Sequence, residues 1–116
     1  MIEFAVDAQM YHDIDDIIKQ MLENRKVMVI CKNYGEVTYE CNKAITKIHG
    51  VNNVKYAQNV HMIDGVFGQI RFEEVGNAEI LLQGLENVKV FFTQEGFENS
   101  PVSLLMRVNI AARSSN

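Results

Sequence analysis

Glu95 is the residue of this sequence whose position most favours chemistry. It comes shortly after an apolar run, residues 88–92, that we predict to be a buried strand. A carboxylate after such a strand lies at the carboxyl edge of a parallel sheet, where open α/β folds bind their ligands. Glu95 would there activate water or hold a metal ion, with Asn33 or Tyr34 supplied by a neighbouring strand end. The alternative is a loop glutamate in solvent.

Four lysines make the middle of the chain basic within an acidic protein. The chain carries 11 basic and 15 acidic residues, a formal net charge of −4. Bases exceed acids only over residues 27–60, where the candidate patch consists of Lys32, Lys43, Lys47 and Lys55. These lysines contact a phosphate or form the solvated face of a helix. The net negative charge argues against a nucleic-acid partner, which requires a basic surface. Nucleic-acid binding through these four lysines is therefore the weaker alternative.

The common motifs of phosphate and metal chemistry are missing from the sequence. None of the seven glycines is followed by lysine, so there is no phosphate-binding P-loop. The three histidines lack the paired spacing of a zinc site, and we expect neither a metal ion nor a cofactor. Cys31 and Cys41 lie in apolar patterns and are predicted to be buried free thiols. A catalytic pair of Cys31 with a histidine is the alternative, but no spacing supports it.

The hydrophobic pattern predicts a single α/β domain over residues 1–112 and a frayed tail over 113–116. Continuous apolar runs predict strands buried on both faces, as in a parallel sheet. Apolar stripes with helical spacing predict amphipathic helices between them. The alternation predicts a small, mainly parallel sheet with helices packed on it, in two or three layers. The main predicted strands are 2–6, 26–32, 54–57 and 88–92, and the main predicted helices are 10–22, 37–48 and 101–110. Residues 63–75 are predicted to be a hairpin, or a strand with a glycine-bearing turn.

Two details of this prediction concern the ends of the elements. Asp7 is predicted to cap the first helix, because its short side chain can accept hydrogen bonds from free backbone amides. Residues 93–97 are predicted to be a loop that connects the last long strand to the last helix.

The order of the predicted elements resembles the first half of the ATPase core of phage large terminases and related helicases. In that family a strand leads to a phosphate loop and a helix, and a later apolar strand ends in an Asp-Glu pair. The similarity spans roughly residues 4–112. Its most similar segments are 27–34, 68–72, 82–87 and 88–95.

The chain departs from that family at the positions that carry its chemistry. Residues 7–12 stand where the phosphate loop belongs and have neither its glycines nor its lysine. Gln94 stands in the place of the magnesium-binding Asp, and only Glu95 matches. The later strands of such a core would lie beyond Asn116. The resemblance therefore implies a truncated relative that does not hydrolyse ATP.

Size and missing motifs favour a small non-catalytic protein that binds another protein. An accessory factor of a phage or mobile element fits this description, with an open sheet edge that a protein partner or a second copy covers as a homodimer. The alternative is a nucleotide- or metal-dependent small enzyme, or a binding module, that uses Glu95. The sequence starts without a signal-peptide pattern and has no long apolar run, so we expect a cytoplasmic protein that does not enter a membrane.

Overall fold

The protein alternates strands and helices around one sheet, as the hydrophobic pattern predicts. A computed structural model describes residues 6–51, 54–57, 60–85 and 87–110. The elements are β1 (Val6–Met10), α1 (Ile14–Leu22), β2 (Lys26–Cys31), α2 (Tyr34–Ile48), β3 (Lys55–Ala57), β4 (Met62–Asp64), β5 (Gln69–Glu74), α3 (Val75–Leu82), β6 (Val88–Phe92), α4 (Gln94–Glu98), α5 (Val102–Leu105) and β7 (Val108–Ile110).

The sheet is mixed but mostly parallel. Its seven strands follow the order β3-β4-β5-β2-β6-β1-β7. The four pairings from β5 to β7 are parallel, and only β3 with β4 and β4 with β5 are antiparallel. The α/β class and the mainly parallel sheet are therefore confirmed. No helix in the described ranges is long and apolar enough to cross a membrane.

Helices cover both faces of the sheet and enclose two cores. On one face, Val27, Val29 and Cys31 of β2 pack in a cluster with residues of α1 and α2. On the other face, Met28 and Ile30 pack in a cluster with residues of α3 and α5. Because successive side chains of a strand point to opposite faces, a central strand covered on both sides must be apolar throughout. The continuous apolar run in β2 is thus explained.

The first helix begins later in the chain than predicted, because residues 7–10 belong to a strand. The predicted strand 2–6 falls almost wholly outside the described residues, as does the predicted tail 113–116. Asp7 does not cap a helix, because it lies inside β1, and Asp13 caps α1 instead. The alternation of Val6, Ala8 and Met10 on one face of β1 overrides the helical spacing of Met10.

Two predictions near the end of the chain are also wrong. The predicted loop 93–97 contains α4, whose first residue follows Thr93. The Thr93 hydroxyl oxygen accepts a hydrogen bond from the Gly96 amide at 2.9 Å. This is an ordinary N-terminal helix cap, and a threonine before a polar turn signals it. Val108–Ile110 is not helical and forms β7, which pairs with β1. Pairing with a strand about 100 residues earlier leaves no local signal.

The two cysteines are core residues, as predicted. Both Cys31 and Cys41 are buried, and neither forms a disulfide. Burial raises the pKa of the Cys41 thiol to about 11, and burial followed by the Glu36 carboxylate raises the pKa of Cys31 further. The thiolate is the reactive form, so neither side chain is a candidate nucleophile at neutral pH.

We therefore expect both thiols to resist alkylation in the native protein. At about pH 8, a thiol reagent should modify Cys31 and Cys41 only after a denaturant is added, because burial excludes the reagent and disfavours the thiolate. The measurement is the time course of thiol modification by the reagent, with and without denaturant. Rapid reaction of either native thiol would contradict the burial.

Candidate functional site

The carboxyl ends of β2 and β6 meet at the place where an α/β sheet is expected to bind its ligand. The two strands are neighbours, and their register pairs Ile30 with Phe92. After β2 the chain passes through α2 towards β5, whereas after β6 it passes through α4 and α5 towards β7. Connections that leave adjacent strands in opposite directions open a crevice between the strand ends. Residues 32–34 and 93–95 thus lie at one edge, as the candidate site around Glu95 requires.

The protein's own side chains occupy this crevice. The Glu36 carboxylate lies between the two strand ends, and its Oε1 accepts hydrogen bonds from the Lys32 amide at 2.7 Å and from the Thr93 hydroxyl at 2.9 Å. Glu36 is held there because Asn33 Oδ1 accepts a hydrogen bond from its amide and caps α2. An internal carboxylate therefore sits among donors that an anionic ligand would need.

The start of α4 closes the same crevice from the side of β6. Gly96 is buried against the end of β2, and a Cβ atom at this position would lie 2.2 Å from the Ile30 carbonyl oxygen. The Thr93 amide also donates to that oxygen at 3.1 Å. This close backbone contact leaves no gap for a ligand between Ile30 and Gly96.

The structure places the three predicted site residues in different roles. Glu95 lies on the exposed first turn of α4, where its carboxylate makes no hydrogen bond or ion pair with the described part of the chain. Asn33 is the cap of α2, and the exposed Tyr34 ring contacts the His61 ring edge-on at 4.9 Å between centroids. The catalytic role of Glu95 stays a prediction.

A small cavity of about 160 Å³ lies beyond Tyr34, beside the end of β5. Its polar side chains are used within the fold. Thr38 Oγ1 lies 3.3 Å from Nε2 of His61, and Glu74 caps α3 by accepting from the Asn77 amide. Burial raises the pKa of the Glu73 carboxyl, although the Arg71 guanidinium at 3.7 Å opposes the shift. Among the residues described, no group of three His, Cys, Asp or Glu side chains could hold a metal ion.

The four predicted patch lysines do not gather in one place. Lys43 and Lys47 line a shallow groove along α2, where they lie 3.5 Å from Glu40 and 3.6 Å from Asp15. Lys32 follows β2 at the carboxyl edge, and Lys55 begins the edge strand β3. The two carboxylates therefore partly neutralise the positive charge of Lys43 and Lys47.

A larger cleft than the cavity beside β5 lies at the opposite end of the parallel strands, where they begin. It has a volume of about 570 Å³. We call it the basic cleft, and it is lined by Asp7, Asn24, Arg25, Lys26, Phe67, Asn87, Val88 and Lys89. A cleft of this size falls within the range of about 300–1,000 Å³ that is usual for small-molecule sites.

The charge of the basic cleft comes from three strand starts. Lys26 begins β2, Arg25 precedes it, and Lys89 is the second residue of β6. Asp7 of β1 is the single carboxylate among the described lining residues, which therefore carry an excess of two positive charges. None of the three cations forms an ion pair with a residue that the structure describes. The cleft is suited to an anion.

Sequence reasoning missed this cleft because its cations are far apart in the chain. Arg25 and Lys26 fall in a segment, residues 1–26, with six acidic residues, so the segment as a whole is acidic. Lys89 is one polar residue in an apolar strand. The adjacent pair Arg25-Lys26 directly before a buried strand was the available signal.

The contrast between Glu36 and Glu95 has a measurable consequence. Replacing Glu36 by alanine should lower the free energy of unfolding by about 1–3 kcal/mol, because the buried Thr93 hydroxyl loses its carboxylate partner. Replacing the exposed Glu95 by alanine should change it by no more than about 0.5 kcal/mol. Urea unfolding of the two variants measures both values. Equal losses would show that the crevice is not closed by Glu36.

Part of the chain is similar to a known protein. No family model matches the chain, and no solved structure matches it. The ATP synthase subunit alpha of Pediococcus pentosaceus is 32% identical over 72 residues, which are 62% of this chain and 14% of that protein. The chain thus spans a small part of the curated relative. The comparison shows a partial similarity to an ATP synthase subunit and no link to a phage protein.

Proposed function

We propose that this protein is a binding module for a phosphate-bearing ligand, which it holds in the basic cleft. The observation that carries the proposal is the convergence of Arg25, Lys26 and Lys89 on one cleft without an internal ion pair in the described chain. Unpaired cations that share a concave site raise the local concentration of anions. The ATP synthase name of the curated relative supports a phosphate-bearing ligand, and so does the resemblance to a terminase ATPase core.

The proposed site differs from the one that the resemblance implies. A phosphate loop would lie after the first strand, at the carboxyl edge, whereas the basic cleft lies where the strands begin. Glu36 and α4 fill the crevice between β2 and β6. We therefore propose a degenerate relative of such a core that binds a ligand without hydrolysing it.

The direct experiment is calorimetric titration with pyrophosphate. We expect binding at about 50 mM salt that weakens severalfold at about 300 mM, because salt screens exposed charges. Sulfate at the same concentrations controls for loose attraction of any anion and should bind more weakly. No heat from pyrophosphate, ADP or ATP at millimolar concentration would overturn the proposal.

A second candidate function is self-association through β3. This three-residue strand is the edge of the sheet, and 49% of the Tyr56 surface within it is exposed. An edge strand presents backbone groups that can pair with another strand. We propose a second copy of the chain as the partner at this edge, and a protein of a phage or mobile element would pair with the same strand.

Light scattering distinguishes this second candidate. The wild-type protein should form particles with twice the mass of one chain, which is 13.2 kDa. Tyr56→Lys should form particles with the mass of a single chain. Tyr39→Lys is the matched control, because Tyr39 is exposed on α2 away from the edge. A monomeric wild-type protein would remove the candidate.

A further inference from the structure

Phe67 differs in its exposure from the other phenylalanines that the structure describes. Its surface is 77% exposed, whereas Phe72, Phe91 and Phe92 are buried. A single exposed apolar side chain needs no special explanation. This ring, however, lines the basic cleft together with Arg25, Lys26 and Lys89, which form no ion pair with a described residue. An aromatic face beside cations offers two different contacts to one ligand.

The turn that carries Phe67 is held firmly against the end of α1. The Gly65 amide donates to the Gly68 carbonyl at 2.8 Å, and the Gln69 amide donates to the Arg25 carbonyl at 3.0 Å. A Cβ atom on Gly68 would lie 2.0 Å from the Met21 carbonyl oxygen, so only glycine allows this approach. The ring is therefore presented from a fixed backbone next to Arg25. A ligand that uses it need not order the turn first.

Two asparagines add neutral polar groups to the same cleft. Asn24 and Asn87 both have left-handed backbone conformations, with φ of 68° and 59°. Asparagine adopts this conformation more readily than most residues. Within the described chain, neither side-chain amide forms a hydrogen bond. These amides have the donors and acceptors that the polar edge of a nucleobase needs.

We infer that the ligand of the basic cleft is a nucleoside phosphate, with its base stacked on Phe67 and its phosphates on Arg25, Lys26 and Lys89. The inference rests on the proposed phosphate-binding function and adds the base to it. Every nucleobase has a flat face that stacks on an aromatic side chain, and stacking of this kind contributes measurable affinity. Inorganic phosphates lack this contact.

The test compares ADP with pyrophosphate on the full chain. The two ligands share a diphosphate, and only ADP has a base. Wild-type protein should bind ADP about tenfold more tightly than pyrophosphate, and Phe67→Ala should remove most of this advantage. The same variant should leave pyrophosphate affinity within about twofold of wild type. Val66→Ala is the matched control, because Val66 is exposed on the same turn but does not line the cleft.

The possible results separate this inference from the proposed function. Equal affinity of wild-type protein for ADP and pyrophosphate, or an unchanged ADP affinity in Phe67→Ala, would overturn the inference and leave phosphate binding in place. Absence of binding to both ligands would overturn both proposals. Because Phe67 is exposed, Phe67→Ala should fold, and its urea unfolding midpoint checks this.

A free nucleotide and a nucleotide within single-stranded nucleic acid share the same chemistry of base and phosphate. A short oligodeoxythymidylate in the same titration distinguishes the two sources. Tight binding of this oligonucleotide assigns the site to nucleic acid if the binding depends on Phe67. Binding of ADP alone assigns it to a free nucleotide. Each of these results supports a base on Phe67.

Discussion

Replacing Lys26 and Lys89 together by glutamate is expected to weaken pyrophosphate binding at least about 100-fold. A hydrogen bond that involves a charged group contributes about 1.5–3 kcal/mol, and this variant loses two of them. The charge of the described lining residues then changes from an excess of two positive to an excess of two negative charges, so that they repel the ligand. Calorimetric titration measures the loss.

The matched control reverses the same number of charges elsewhere. Lys43→Glu with Lys47→Glu alters the net charge equally but acts on α2, outside the basic cleft. We expect less than about a threefold change in pyrophosphate affinity, because distant exposed charges are screened. Equal losses in the two double variants would show that only the overall charge matters. This result would contradict a specific cleft.

Asp7→Asn should change the affinity for pyrophosphate in the opposite direction. Asp7 is the one carboxylate that the described part of the cleft lining contains, and removing its charge should tighten pyrophosphate binding severalfold. Arg25 and Lys26 also follow the C-terminus of α1, where cations stabilise a helix by about 0.3–1 kcal/mol. Urea unfolding of each variant therefore separates a loss of binding from a loss of stability.

Replacing Gly96 by alanine is expected to lower the free energy of unfolding by about 3 kcal/mol. The new Cβ atom would lie 2.2 Å from the Ile30 carbonyl oxygen and 2.9 Å from Thr93 Oγ1. Both atoms belong to the closed crevice, and a backbone carbonyl cannot rotate away as a flexible side chain can. Either α4 must move away from β2 or the hydrogen bonds of Thr93 must break.

Gly84→Ala is the control for this prediction. No described atom lies within 4 Å of a Cβ atom at Gly84, so the change should alter stability by no more than about 0.5 kcal/mol. Urea unfolding of the two variants gives the comparison. A Gly96→Ala protein as stable as Gly84→Ala would show that α4 does not pack on β2.

The strands and helices of the centre could be predicted because their burial imposes a pattern. The five residues of β2 after Lys26 must all be apolar, since helices cover both faces of this part of the strand. The amphipathic spacing of α1 and α2 follows from one buried side each. β7 could not be predicted, because Val108 and Asn109 form a strand only by pairing with Val6 and Asp7.

The candidate site was harder to predict, because it depends on which segments the fold brings together. Glu95 follows a buried strand as the prediction requires, but the helix that begins after Thr93 exposes its side chain. Glu36 carries no signal in the sequence beyond helix capping, yet it fills the crevice. Arg25 and Lys89 become neighbours in one cleft only through the strand order.

The central claim is that the ligand binds where the parallel strands begin and not where they end. Backbone amide chemical shifts, followed by NMR during titration with ADP, test it residue by residue. We predict the largest changes at Asn24, Lys26, Asn87 and Lys89, with small changes at residues 32–34 and 93–96. The opposite distribution, with the largest changes at residues 32–34 and 93–96, would contradict the account.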